Sequence, residues 1–120
     1  MTRDRTAYRL GDIIDAIDAI DLLLKDRTFE DILADRVTRA AFERFLEIIS
    51  EASRHIPDDL KDKAQHVPWR RVGDIGNHLR HAYHRVDAGI LWTLYENGEL
   101  RILQKAATEL RAMLDGESEQ

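Results

Sequence analysis

A chain of 120 residues can build one hydrophobic core, and a second independent core would be too small to stand alone. With 43% apolar and 34% charged residues it has a globular composition, and its net charge of −5 argues against a protein that coats nucleic acid without selectivity. No cysteine is present, which excludes a disulfide framework and thiolate metal sites and suits a reducing compartment.

From about Thr6 to Lys25, Leu10, Ile13, Ile14, Ile17, Ile20 and Leu24 recur with the period of an amphipathic helix. Asp12, Asp15, Asp18 and Asp21 follow one another every three residues on the same segment. A three-residue step slips about 60° backwards on a 3.6-residue helix, so these carboxylates wind around the surface. They form a solvated face. Acids at almost every turn also exclude a signal peptide or a membrane span, which places the protein in the cytoplasm.

Thr28 and Asp31 have capping-box-like spacing ahead of Ile32 and Leu33, so a turn or short extra helix is expected there. A second long helix spans about Asp35 to Arg54, with Ala41, Phe42, Phe45, Ile48, Ile49 and Ala52 as its apolar stripe. Pro57 breaks the pattern, and Pro57–Gln65 reads as a polar connection with room for one helical turn. Pro68 opens a third helix, where a missing N–H costs nothing. That helix continues to about Tyr95 through Trp69, Val72, Ile75, Leu79, Ala82, Val86, Ile90 and Leu94.

Asn97–Gly98 is a stop signal. A fourth helix, about Glu99 to Leu114, carries Leu103, Ala106, Ala107, Leu110 and Leu114. Residues 1–115 then make one domain, and 116–120 a disordered tail. Short connections between amphipathic helices imply antiparallel neighbours. The expected fold is all-α, an up-down antiparallel four-helix bundle whose second and third helices are the longest.

The chemistry gathers on the third helix. Between Arg54 and Arg85 lie seven Lys/Arg, four acids and all five histidines, a +3 window in a remainder of −8. Such a window suggests a local anion site. Asn77, His81 and His84 are spaced by four and three, so they share a face away from the core stripe, with Arg80 beside them. Gly73 and Gly76 lie just upstream, and each glycine inside a helix costs about 1 kcal/mol relative to alanine. Close approach of another backbone, such as a partner helix, is the expected compensation.

Gly76, Asn77, His78, Leu79, Arg80, His81, Ala82 and Tyr83 follow Trp69 and precede Val86–Asp87 and then Trp92. This run resembles the Arg-Asn-x-x-x-His-x-Tyr signature of HepT-like proteins of the HEPN superfamily. Ile49-Ser50-Glu51-Ala52 is similar to the same family's pattern in its second helix, and the likeness extends over nearly the whole chain. The resemblance implies a HEPN-like bundle that pairs as a homodimer, with a composite RNA-cleaving cleft that needs no metal or other cofactor. It also implies the toxin of a type VII-like toxin–antitoxin pair, neutralised by a minimal nucleotidyltransferase antitoxin that attaches AMP to a tyrosine.

Carried onto this chain, the resemblance makes His81 the acid–base group, Arg80 the phosphate clamp, Asn77 a positioning group and Tyr83 the AMP acceptor. A histidine suits proton transfer because its ordinary pKa lies near neutrality, and an arginine offers fixed donors to phosphate oxygens. The sequence departs from the family at one position. The family's arginine precedes its histidine by four to six residues, and here Gly76 stands at that place.

Arg80, next to His81, and Arg71, with six residues between it and His78, are the substitutes within reach along the chain. That departure favours a second reading, a catalytically inactive subunit of the same fold that binds a nucleotidyltransferase partner or a nucleotide. Blander roles stand beside these: Arg80 paired with Asp87, Tyr83 as a core tyrosine, His81 as a surface histidine. His78, His81 and His84 also invite a metal, but spacing by three makes them drift around a helix as the aspartates do, so no metal site is expected.

Overall fold

The computed structural model describes residues 3–82 and 84–118. Among them every regular element is helical, and the helices pack as the expected up-down bundle. Helix α1 (Arg3–Leu24) lies between α3 (Arg36–Arg54) and α8 (Glu99–Ser118). The fourth rod closes the bundle between α3 and α8. It consists of three pieces: α5 (Trp69–Gly73), α6 (Ile75–Leu79) and α7 (Arg85–Glu96). The short α2 (Phe29–Ala34) packs on α3, and α4 (Asp58–Lys61) with a 3₁₀ turn (Asp62–Ala64) fills the connection after α3. Among the described residues no helix is long and apolar enough to cross a membrane.

The helix ends follow from local chemistry. The Thr28 hydroxyl accepts from the Asp31 N–H at 3.1 Å and the Asp31 carboxylate accepts from the Thr28 N–H at 2.8 Å, a complete capping box for α2. Asp35 caps α3 by accepting from the N–H groups of Val37 and Thr38. Gly98 ends α7 with a positive φ of 78°, as the Asn-Gly stop signal implies. Helix α8 runs to Ser118, four residues past the expected Leu114. Residues 116–118 of the expected tail therefore continue the helix, and 119–120 lie outside the described residues.

The core is the sum of the apolar stripes. Leu10, Ile13, Ile17, Ile20 and Leu24 of α1 are fully buried against Leu46 and Ile49 of α3 and Leu103 and Leu110 of α8. Asp12, Asp15 and Asp18 are exposed on the outer side. The connection of residues 57–67 is less polar in role than in composition, since Leu60, Ala64 and Val67 reach the core.

The third helix requires correction. It is not continuous from Pro68 to Tyr95, and the longest helices are α1, α8 and α3. At the first break Asn77 N–H donates to the Asp74 carbonyl at 2.9 Å instead of to Gly73. The Gly73 carbonyl accepts from the buried Ser50 hydroxyl of α3 at 2.9 Å. At the second break the N–H groups of His81, Ala82 and His84 donate to the carbonyls of His78, Leu79 and His81, and His84 turns extended (φ −82°, ψ 134°) before α7 begins. The Ala82 carbonyl, released from its helical partner, accepts from the Arg39 guanidinium of α3 at 2.7 Å.

The second break also resets the register. Val86, expected in the core, is 74% exposed; α7 buries the expected Leu94 and, beside it, Leu91 and Trp92. Helix α2 buttresses this rod: Phe29 packs 6.1 Å from the Trp92 ring, and Arg85 lies over Phe29 and donates to Glu30.

Candidate active site

The residues singled out on the third helix occupy the turn between α6 and α7 and the last turn of α6. Asn77, Arg80, His81 and His84 are all exposed, while Ala82 is buried and anchors the turn to the core. Two side chains of α3 hold the backbone here. Ser50 fixes Gly73, and Arg39 fixes Ala82 while its Nε is paired with Glu43 at 3.0 Å. The Arg39 side chain is partly buried, and its fork is divided between a carboxylate and a carbonyl.

The structure joins some candidates and separates others. Arg80 donates to the Asn77 side-chain oxygen, which fixes the guanidinium at the surface. The His81 and His84 rings stack at 6.4 Å with 28° between their planes. His78 is half-buried, and its Nδ1 lies 3.0 Å from an Asp87 carboxylate oxygen. Asp87 is thus engaged by His78 in place of the alternative pairing with Arg80. Arg71 makes a two-pronged ion pair with Glu99 of α8 at 3.0 and 3.1 Å. Tyr83 lies outside the described residues.

Two open grooves flank the last turn of α6, and Arg54 and Arg80 line both. Asn77 lines one, with Lys61 set 5.7 Å over the Trp69 ring. Gly76 lines the other, together with Arg9 and Arg44 and the carboxylates of Asp12, Glu47 and Glu51. Arg54 is paired with Glu51, whose second oxygen lies 3.0 Å from His55 Nε2. Those two hydrogen bonds, Arg54 first, hold the Glu51 carboxyl below the usual carboxylate range. Among the described residues no three His, Asp or Glu side chains gather as a metal site.

A surface histidine on a doubly anchored turn, beside an arginine–amide pair, is equipped for proton transfer next to a bound anion. The sequence profile described as "Ribonuclease HepT-like" matches residues 13–110. The chain belongs to the HepT-like family.

Relatives agree with that placement. The "Probable ribonuclease HepT" of Thermococcus cleftensis is 42% identical over 92 residues, 77% of this chain and 83% of the relative. Two Methanocaldococcus jannaschii proteins, named as candidate RNases, are similar as well. One is 35% identical over 77% of this chain and 84% of its own length, the other 33% over 82% and 86%. No solved structure matches this HepT-like chain at a significant level.

Three residues of α3 position this region, and the sequence marked only Ser50, as part of the family-like segment and without a role. Ser50 had a signal, since a serine set next to Ile49 in an apolar stripe needs a partner when buried. Arg54 had an indirect one, because Gly73 and Gly76 make room that something must fill. Within the chain it is the Arg54 side chain of α3 that lies nearest both glycines. Arg39 had none, as its partner is a backbone carbonyl 43 residues away.

Proposed function

We propose that this HepT-like protein is a metal-independent endoribonuclease of the HEPN type, acting in the cytoplasm as a homodimer. It serves as the toxin of a type VII-like toxin–antitoxin pair. Its family membership supports the RNase reading, and the observation that carries it is the exposure of His81 on a turn anchored by Arg39. Cleavage joins the 2′-oxygen of RNA to the adjacent phosphorus as the bond to the 5′-oxygen breaks. A base takes the 2′-hydroxyl proton, and an acid gives one to the departing oxygen. One imidazole can do either task, and two copies of the turn across a dimer supply both. Arg80, fixed on Asn77, offers donors to the phosphate oxygens as charge builds up.

The test is cleavage of a single-stranded RNA pool by purified protein in excess chelator, alongside growth arrest on induced expression. His81→Ala is expected to abolish both while leaving the helical circular dichroism and the oligomeric state unchanged. Full activity in His81→Ala would remove His81 from the chemistry.

Gly76 favours a second reading, a non-catalytic HEPN-fold subunit that docks a nucleotidyltransferase partner. A wild-type protein that leaves RNA intact and cells growing, yet co-purifies with that partner, selects it.

A further inference from the structure

The absence of a side chain at position 76 leaves a space, and the structure shows what stands beside it. A Cβ built on Gly76 would lie 3.8 Å from a guanidinium nitrogen of Arg54, and one on Gly73 would lie 3.6 Å from Arg54 Cγ. Arg54 therefore lies along one turn of the third rod, over the face that both glycines keep low. It comes from the last turn of α3, so its origin is fixed by a helix and not by a loop.

We propose that Arg54 supplies the guanidinium that position 76 lacks, and that Arg54 and Arg80 together bind one backbone phosphate of single-stranded RNA. The inference rests on the ribonuclease reading above. Arg54 and Arg80 are the residues common to both grooves, one lined by Gly76 and the other by Gly73, so a phosphate placed at their shared edge meets both guanidinium groups. Planar forks from two directions can satisfy several phosphate oxygens at once, which a pair of lysines would do less selectively.

Arg54 is also free to exchange partners at little cost. Its ion pair with Glu51 is about half exposed on both sides, and such pairs are weak. When Arg54 turns to a phosphate, Glu51 keeps its hydrogen bond to His55. Gly76 then has a reason to be glycine, because a long side chain there would compete with Arg54 for the same room. Alanine would not, since 3.8 Å is ordinary contact.

The experiment uses the full chain carrying His81→Ala, so that the probe is not consumed. A fluorescent 12-nucleotide RNA is titrated by anisotropy over a series of KCl concentrations. Adding Arg54→Ala or Arg80→Ala is expected to weaken binding by about tenfold or more, as loss of a charged hydrogen bond does. The slope of log affinity against log salt should fall by about 0.7 for each lost phosphate contact. Arg101→Ala, on the exposed side of α8, should change neither.

In the active protein, Arg54→Ala should reduce cleavage by about 10²-fold, the loss typical of one transition-state donor. Gly76→Arg added to Arg54→Ala should restore much of it, whereas Gly76→Ala alone should be silent. Unchanged affinity and slope in Arg54→Ala, in a protein whose cleavage depends on His81, would overturn the inference and leave the ribonuclease reading standing. A wild-type chain that neither binds nor cleaves RNA would sink both.

Discussion

Arg39 holds one guanidinium between the Glu43 carboxylate and the Ala82 carbonyl, and that carbonyl sits directly after His81. A side chain that touches neither phosphate nor imidazole can still set where the imidazole stands. Misplacing a reacting group by about 1 Å can cost on the order of 10²-fold in rate. Arg39→Ala is accordingly expected to lower kcat for RNA cleavage by up to about 10²-fold with KM little changed. Arg39→Lys, which can reach one partner but not both, should fall between. A merely structural role would move the melting temperature and leave the kcat-to-KM pattern of the folded fraction untouched.

Ser50 does the matching task at Gly73 and is only 1% exposed, so its loss leaves a carbonyl without its donor. Ser50→Ala should destabilise the fold by about 1–3 kcal/mol in urea denaturation. An unchanged midpoint would mean that the first break is held by α5 and α6 themselves.

At the scale of helices, the ends and the breaks have different causes. Thr28 with Asp31, Pro57, Pro68 and Asn97–Gly98 could be read from the chain because caps and stops act within a few residues. The interruptions at Asp74 and after Leu79 could not, because Ser50 and Arg39 reach across from α3 to complete them. The apolar spacing through Val72, Ile75 and Ala82 continues across the first break, so the period gave no warning. It misled at Val86, where the tight turns before α7 had already rotated the helix out of step. The candidate residues were legible as a cluster, but as one face of one helix they were not. They sit on a helix end and a turn.

Asp35 gives the element scale a test with a defined pH dependence. Its carboxyl is held below its ordinary value first by the Thr38 hydroxyl, then by the N–H groups of Thr38 and Val37 and by the charge of Arg27. A carboxyl lowered in the folded state contributes stability above its unfolded pKa, and that contribution is lost as the pH falls through the folded value. The melting temperature of Asp35→Asn should therefore lie below wild type at pH 6–7, with the gap closing as the pH drops below about 4. A gap that persists unchanged at pH 2 would assign the effect to packing at the cap instead of to the charge.

For the molecule as a whole, the question is how such a site is kept silent. Tyr83 stands between Ala82, whose carbonyl is anchored by Arg39, and His84, whose ring stacks on His81. In the proposed modification the phenol oxygen attacks the α-phosphorus of ATP, the α–β bridge breaks, pyrophosphate leaves and the phenol proton passes to solvent. The product adds one negative charge and a purine to the residue that follows Ala82 and precedes His84 in the chain. Like-charge repulsion toward RNA phosphate and steric exclusion then act together.

Co-expression with a minimal nucleotidyltransferase and ATP should add one or more AMP masses to the 13.9 kDa chain, lost in Tyr83→Phe. The modified protein should keep its oligomeric state in light scattering, which the reading expects to be twice the chain mass. Its RNA affinity should drop to a level that Arg54→Ala no longer lowers, because the phosphate site is already closed. If toxicity is neutralised while Tyr83 stays unmodified, the partner works by covering the turn, and its affinity for the protein should then survive Tyr83→Phe.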